Sequence, residues 1–295
     1  MRRLKPEKVL SLKMSEENKK FIDVAEVIRS KNPRLYKMLP GFVTRYIKRV
    51  VHEDEVNDFI ARHGHKTSFD FVDAIIEEFQ IKIKVYGEEN IIRKGRCIYA
   101  GNHPIGGLDA MALIHQIGLH RRDLMFIVND ILLQLKNLQD LFIGVNKHGK
   151  NSVQSFKAID ALYASDKATL IFPAGLVSRK QGNIIKDLQW KKSFIIKSKQ
   201  YNSPIVPVYI DGRNSNWFYN LANWRKRIGI AANIEMLYLM DEMYYQRGKT
   251  VTLVFGKPVQ PSIFDSTYND GEWAEQMKEH VYLLKNNPNA IFNGG

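Results

Sequence analysis

From residue 81 onward, short apolar runs alternate with stretches of helical spacing, and this alternation limits the folds that the chain can adopt. The runs are IKIKVYG at 81–87, CIYAG at 97–101, DLMFIV at 123–128, ATLIFPAG at 168–175, PIVPVYI at 204–210 and TVTLVFGKPV at 250–259. Helical stretches lie between them around 109–118, 131–140, 151–164 and 189–200, and GEWAEQMKEHVYLLK predicts a closing helix. Strands alternating with helices predict an α/β fold, with a mixed, largely parallel sheet flanked by helices.

The first 80 residues predict a helical N-terminal section in front of an α/β domain at 81–295. SEENKKFIDVAEVIRS at 15–30 begins with a serine N-cap and has helical spacing, and SFDFVDAIIEEF at 68–79 predicts another helix. Between them, residues 31–49 hold six basic residues and no acidic one, interleaved with apolar residues. Such a segment fits a helix lying flat at a lipid headgroup layer, or an ordinary surface helix, and the sequence leaves both open.

Charge and cysteine content limit the partners and the compartment. Lys and Arg number 44 against 31 Asp and Glu, a net charge of +13 that predicts attraction to nucleic acid, an anionic membrane surface or a phosphorylated substrate. The single cysteine, Cys97, lies in an apolar run, so we expect it in the core and expect a reducing compartment. No uncharged stretch reaches the roughly 18 apolar residues of a spanning helix, so we expect no membrane-spanning segment.

The stretch AGNHPIGGLDAM at 100–111 carries two ionisable side chains inside a sharp turn. In an α/β sheet, ligands bind at the carboxyl ends of the strands, which is where His103 and Asp109 would lie. An imidazole with a pKa of about 6.5 can take a proton from a hydroxyl, but it needs a fixed tautomer, which a carboxylate supplies. We therefore expect a base and its orienting acid without a protein nucleophile. No other histidine has the spacing of a zinc ligand, so we expect no metal.

Four blocks in order resemble those of the glycerolipid acyltransferase family, which contains the 1-acylglycerol-3-phosphate acyltransferases. They are NHPIGGLD at 102–109, LFIGVNKHGKNS at 141–152, LIFPAGLVSRK at 170–180 and PIVPVYIDG at 204–212. FGKPV at 255–259 is similar to the family's closing strand and turn, so the resemblance covers residues 80 to 260.

The resemblance implies an O-acyltransferase that moves a fatty acyl chain from an acyl carrier protein or coenzyme A thioester to a lyso-lipid hydroxyl, with no further cofactor. His103 would be the general base and Asp109 would hold it in register. The resemblance implies substrate binding by Asn102, Lys147, Gly175, Ser178 and Arg179. Arg179, assisted by Ser178, would hold the anionic group of the acceptor, and Gly175 would permit a close backbone approach.

Two departures from the family pattern concern the acceptor. The third block normally has a glutamate where this chain has Ala174, and the second commonly has an arginine where this chain has Lys147. Both changes affect the headgroup that is held and leave the His103 chemistry intact. The sequence therefore leaves two classes of acceptor open. One is lysophosphatidate. The other is a lyso-amino-acid lipid, such as a lyso-ornithine or lyso-glycine lipid, because the FPAG variant resembles the bacterial branch of the family that acylates such lipids.

Basic residues with interspersed aromatics at 179–199 and in NWFYNLANWRKR at 216–227 favour contact with a headgroup layer. We expect a cytoplasmic enzyme, peripheral on the inner face of the cell membrane and attracted by anionic lipid. The same features bind single-stranded nucleic acid in other proteins, but no nucleic-acid module accompanies them and we expect no such partner. A lipid-binding relative without catalysis remains a further alternative.

Overall fold

The computed structural model describes residues 20–145, 152–230 and 233–294 of the chain. Two compact units divide between Gly64 and His65, so the helix Ser68–Glu78, which the sequence places in the N-terminal section, belongs to the larger unit. Among the described residues, no helix is long and apolar enough to cross a membrane.

The N-terminal unit consists of short helices. They are α1 (Val24–Lys31), α2 (Pro33–Met38), α3 (Gly41–Val50) and α4 (Glu53–His63). The carboxylate of Glu53 is buried and accepts hydrogen bonds from Lys20, Lys48 and the backbone of Val24. Pro40 separates α2 from α3, because its ring cannot continue a helix. Segment 31–49 is therefore two helices, on which Met38, Phe42 and Tyr46 are exposed at intervals of four residues.

The larger unit is built on a seven-stranded sheet. Its elements are α5 (Ser68–Glu78), β1 (Lys82–Tyr86), β2 (Cys97–Gly101), α6 (Gly107–Gly118), β3 (Leu124–Asn129), β4 (Phe142–Val145), α7 (Ser152–Ala164), β5 (Ala168–Ile171), β6 (Arg179–Gln181), β7 (Ile184–Lys186), α8 (Ser193–Tyr201), β8 (Ile205–Asp211), α9 (Asn216–Arg227), α10 (Leu239–Tyr245), β9 (Thr250–Phe255) and α11 (Asp270–Leu283). The strand order is β1-β9-β8-β2-β5-β3-β4, and only the β8–β9 pair is antiparallel. The predicted mixed, largely parallel α/β sheet is confirmed.

The central strand β2 coincides with the apolar run CIYAG, from which the sequence predicts a buried strand. All five of its residues are buried, as expected of a strand covered by helices on both faces. Cys97 lies in this strand, where burial raises the pKa of its thiol to about 11, so the prediction that it belongs to the core is confirmed.

One local prediction differs from the structure. Residues 131–140 form two 3-10 segments, Asp130–Gln134 and Lys136–Leu141, rather than an α-helix. They connect the parallel neighbours β3 and β4 in twelve residues, which is about the minimum for a parallel crossover. Strand β4 itself and the small β6–β7 hairpin were not predicted.

The carboxyl ends of three neighbouring strands frame one edge of the sheet. Strand β2 pairs in parallel with β5 on one side and with β8 on the other. The loop after β2 carries His103, the turn after β5 carries the FPAG sequence, and the loop after β8 leads into α9. This edge is where ligands bind in open α/β sheets.

Candidate active site

The loop between β2 and α6 brings His103 and Asp109 into contact. His103 Nδ1 lies 2.9 Å from Asp109 Oδ2, and the same oxygen accepts hydrogen bonds of 3.0 Å from the backbone N–H groups of Ile105 and Gly106. Gly106 has a φ of 100°, which only glycine adopts without strain, and this conformation turns the chain so that Asp109 enters the first turn of α6. The Pro-Ile-Gly-Gly sequence therefore folds the loop around the carboxylate.

The carboxyl group of Asp109 is fully buried. Burial raises its pKa, while the hydrogen bonds from His103, Ile105 and Gly106 favour the charged form. An Asp109 carboxylate accepting from Nδ1–H fixes the tautomer of His103 and leaves the lone pair of Nε2 for another group. The geometry therefore provides an imidazole of fixed orientation, whose side chain is 18% exposed.

Phe172, which follows β5, covers one face of the imidazole. The two rings are stacked, with centroids 4.2 Å apart and an angle of 11° between their planes. Phe172 begins the turn that closes through a 2.9 Å hydrogen bond from Gly175 N to Phe172 O. The FPAG sequence therefore limits rotation of the His103 ring by packing.

Asp187, directly after β7, anchors the backbone of His103. Its buried carboxylate accepts from His103 N at 3.2 Å, from Ser178 Oγ at 2.5 Å and from Trp190 Nε1 at 2.9 Å. Ser178 N donates to the carbonyl oxygen of His103 at 2.7 Å, so both backbone groups of the histidine are held. Sequence reasoning missed this role. The available signal was that Asp187 is the only acidic residue between 179 and 199.

Asn102 lies beside His103, but both ends of its side chain are already occupied. Its amide nitrogen donates to Ile210 O at 2.9 Å, and its amide oxygen accepts from Ile210 N at 2.7 Å. These bonds extend the pairing of β2 with β8 by one residue at the edge where the loop begins. In the structure Asn102 thereby holds the start of the loop, and its predicted contact with the substrate stays a prediction.

Ser178 and Arg179 are buried in internal networks. The Arg179 guanidinium donates to Val177 O at 2.9 Å and to Glu235 Oε1 at 3.2 Å, and Arg225 also binds both oxygens of Glu235. Burial acts to raise the pKa of Glu235, but the two arginines outweigh it and hold the pKa below its usual value. Since Arg179 already pairs with Glu235 and Ser178 donates to Asp187, the structure does not bring these two side chains together as an open anion site. Their contact with the acceptor stays a prediction.

The turn after β5 places the two remaining predicted positions differently. Gly175 has a φ of 67°, and a Cβ there would lie 2.7 Å from Lys191 Nζ, so a larger residue would be strained and would displace this ammonium group. Ala174 is buried next to it. Lys147, the other predicted substrate-binding residue, lies outside the described residues. Within the described part of the chain, no three His, Cys, Asp or Glu side chains are grouped so that they could hold a metal ion.

A largely parallel sheet with a histidine and aspartate loop at the carboxyl end of its central strand has the architecture that the sequence blocks predicted for an acyltransferase. A model of the acyltransferase family matches residues 26–291. The chain belongs to this family, and the resemblance to the glycerolipid acyltransferases is confirmed.

Two curated relatives match almost the whole chain. The lyso-glycine lipid O-acyltransferase of Bacteroides thetaiotaomicron is 43% identical over 92% of this chain and 100% of its own length. The protein of the same name from Phocaeicola vulgatus is 42% identical over 92% of this chain and 98% of its own length. A 1-acyl-sn-glycerol-3-phosphate acyltransferase of Limnanthes douglasii is 29% identical over 48% of this chain and 50% of its own.

Among solved structures, the 1-acyl-sn-glycerophosphate (LPA) acyltransferase PlsC from Thermotoga maritima aligns with a TM-score of 0.48. It is 18% identical, and the alignment covers 89% of this chain and 93% of PlsC.

We expect Asp187→Asn to lower kcat about tenfold and to change KM little, because an amide cannot accept all three hydrogen bonds and the His103 backbone shifts. Asp211→Asn is the matched control, since Asp211 is half exposed and accepts from the Tyr209 hydroxyl. Steady-state kinetics of acyl transfer measure both constants. An unchanged kcat in Asp187→Asn would show that this anchor does not position the histidine.

Proposed function

We propose that this enzyme transfers a fatty acyl chain from an acyl thioester to the hydroxyl group of a lyso-glycine lipid. The contact between His103 Nδ1 and Asp109 Oδ2 carries the proposal, because it supplies the base that such a transfer needs. The acceptor is taken from the two relatives that match over nearly their full length. Of the acceptors that the sequence left open, these relatives favour lyso-glycine lipid over lyso-ornithine lipid and lysophosphatidate.

In the proposed mechanism, His103 Nε2 accepts the proton of the lipid hydroxyl as its oxygen attacks the thioester carbonyl carbon. The tetrahedral intermediate collapses, the carbon–sulfur bond breaks, and the imidazolium returns the proton to the leaving thiolate. The products are the O-acylated lipid and the free thiol of the carrier. Asp109 stabilises the imidazolium while it exists and keeps Nε2 directed at the hydroxyl.

The turn after β5 supports an acceptor with an acidic headgroup. Ala174 removes the carboxylate that the family usually has there, and the ammonium group of Lys191 lies against Gly175. Position 174 therefore adds no negative charge to this turn, and we propose that the acidic headgroup of the acceptor approaches it. Lys147 and the pair Ser178 and Arg179 keep their proposed contributions to acceptor binding.

We also propose that the enzyme works in the cytoplasm on the inner face of the cell membrane. The net charge of +13 favours anionic lipid, and the lyso-lipid acceptor resides in a bilayer. Helices α2 and α3 expose Met38, Phe42 and Tyr46 beside basic residues, which suits a headgroup layer. The donor is an acyl carrier protein or coenzyme A thioester, both of them acidic partners for a basic enzyme.

The identity of the acceptor is tested by acyl-transfer assays with the purified protein. Each of the two thioester donors is combined in turn with lyso-glycine lipid, lyso-ornithine lipid and lysophosphatidate. Thiol release is followed by absorbance, and the lipid product is identified by mass spectrometry. We expect kcat/KM for lyso-glycine lipid to exceed that for the other two by at least about tenfold, because the headgroup contacts differ. Faster transfer to lysophosphatidate would contradict the acceptor, and no thiol release with any combination would contradict the reaction.

A further inference from the structure

Helix α9 has one buried face and one face rich in exposed tryptophan. Its inner face packs into the protein through Phe218, Tyr219, Leu221 and Ala222. On the outer face, Trp217 and Trp224 are 55% and 57% exposed, seven residues or two helical turns apart, and Ile228 follows in line. Large aromatic side chains are rarely left this exposed without a partner, and tryptophan is enriched at the membrane–water interface.

The charges on this helix have one sign. Helix α9 contains no acidic residue, and its last turn ends in the exposed cations Lys226 and Arg227. Two acidic side chains that contact this helix or its N-cap are buried: Glu235 binds Arg225, and Glu242 binds the backbone and hydroxyl of Ser215. An apolar face edged by cations is complementary to a layer of anionic headgroups over hydrocarbon.

The elements packed against α9 extend this surface. Asn223 Nδ2 donates to Lys180 O of the β6–β7 hairpin, whose Ile184 is exposed, and the ring of Trp217 meets that of Tyr238 at 6.0 Å, next to the exposed Leu237. This surface, the tryptophan face, comprises Ile184, Trp217, Trp224, Lys226, Arg227, Ile228 and Leu237.

The inner face of the same helix supports the loop that carries His103. The hydroxyl group of Tyr219 lies 3.5 Å from the carbonyl oxygen of Pro104, the residue after His103, and accepts from Asn214 N at 3.1 Å. A helix with its side chains is about 10 Å across. A bilayer against the tryptophan face would therefore lie about one helix diameter from the His103 loop.

We propose that the tryptophan face docks this enzyme on an anionic lipid bilayer, so that the lyso-lipid reaches His103 without leaving the membrane. The proposal rests on the proposed function for the identity of the acceptor. It assigns the α/β domain its own membrane contact, distinct from that of α2 and α3.

The four tryptophans of the chain allow a direct test. Trp190 and Trp273 are each 2% exposed, so the accessible tryptophan fluorescence comes from the tryptophan face, and the N-terminal unit has none. Full-length wild-type protein is mixed with phosphatidylcholine vesicles that contain phosphatidylglycerol and lipids brominated on the acyl chains. We expect bromine quenching of Trp217 and Trp224, no quenching in the W217F/W224F variant, and little quenching with pure phosphatidylcholine. Unquenched wild-type protein on vesicles to which it sediments would overturn the proposal.

Charge variants give a second readout. K226Q/R227Q should weaken partitioning onto the anionic vesicles by about 30-fold, since each cation near the surface contributes about a factor of five. The matched control is R93Q/K94Q, which removes two exposed cations before β2, at the opposite edge of the sheet, and should change partitioning much less. Equal effects of the two variants would contradict a localised docking face.

Activity separates this proposal from the proposed function. W217S/W224S should keep the wild-type kcat with lyso-glycine lipid dispersed in detergent. When the acceptor is in vesicles, the acyl-transfer rate of this variant should fall at least about tenfold below that of the wild type. If wild-type protein transfers acyl chains to dispersed acceptor and W217S/W224S is as active as wild type on vesicles, the docking proposal is wrong while the proposed reaction is supported. If the variant instead loses affinity only for acyl carrier protein, the face binds a protein and the proposal fails.

Discussion

Replacing His103 with alanine should lower kcat for acyl transfer by about a thousandfold, because no other group of the loop can take the proton of the acceptor hydroxyl. The imidazole is partly exposed and its backbone is held independently by Ser178 and Asp187, so the free energy of unfolding should fall by no more than about 1–2 kcal/mol. Thiol release at saturating acceptor measures kcat, and chemical denaturation measures stability.

The chain offers a matched control for this substitution. His115 also contacts an aspartate through Nδ1, at 2.7 Å from Asp73 Oδ1, but it lies on α6, about two turns from the loop. His115→Ala should keep normal turnover. Normal turnover in His103→Ala would show that the mechanism is wrong even though the family is established, and equal losses in both variants would indicate a general structural effect.

Replacing Glu235 with glutamine should destabilise the protein by about 3–5 kcal/mol, because two buried guanidinium groups would lose their shared counter-charge. Arg179 and Arg225 are both nearly fully buried, and the Glu235 carboxylate contacts each of them. Since the two arginines hold the folded pKa of Glu235 below its usual value, its contribution is complete above the unfolded pKa of about 4.3 and is lost as pH falls through the folded pKa. The free energy of unfolding of the Glu235→Gln variant should therefore depend less on pH in this acidic range than that of the wild type.

Glu279→Gln is the control for the buried ion cluster. Glu279 also pairs with a cation, Lys186, but its side chain is 58% exposed, so its removal should cost no more than about 1 kcal/mol. Urea denaturation of the two variants at neutral pH makes the comparison. A loss below about 1 kcal/mol in Glu235→Gln would mean that the arginines are stabilised by other groups.

Much of the sheet could be predicted because strands β2, β5 and β8 are buried on both faces and therefore appear as continuous apolar runs. The contact of His103 with Asp109 was also predictable, since proline and two glycines allow few conformations between a strand end and a helix start. The β6–β7 hairpin and strand β4 were not predictable by the same reasoning. Each is only three or four residues long, and their partners are chosen by tertiary packing.

The orientation of polar side chains at the site was the harder part. Asn102 and Arg179 have the residue types of a substrate-binding site, but their partners, Ile210 and Glu235, lie 108 and 56 residues away in the sequence. A pattern of neighbouring residues carries no information about such pairings. Asp187 was missed for the same reason, because its contact with His103 joins positions 84 residues apart.

The central claim is that one imidazole, oriented by Asp109, transfers the acyl chain directly and that no protein nucleophile takes part. The most direct measurement mixes wild-type protein with acyl thioester, with and without lyso-glycine lipid, and follows free thiol together with the intact protein mass. The account predicts that thiol appears only when the acceptor is present and that the protein mass stays unchanged. A stoichiometric burst of thiol without acceptor, accompanied by an acyl adduct on the chain, would contradict it.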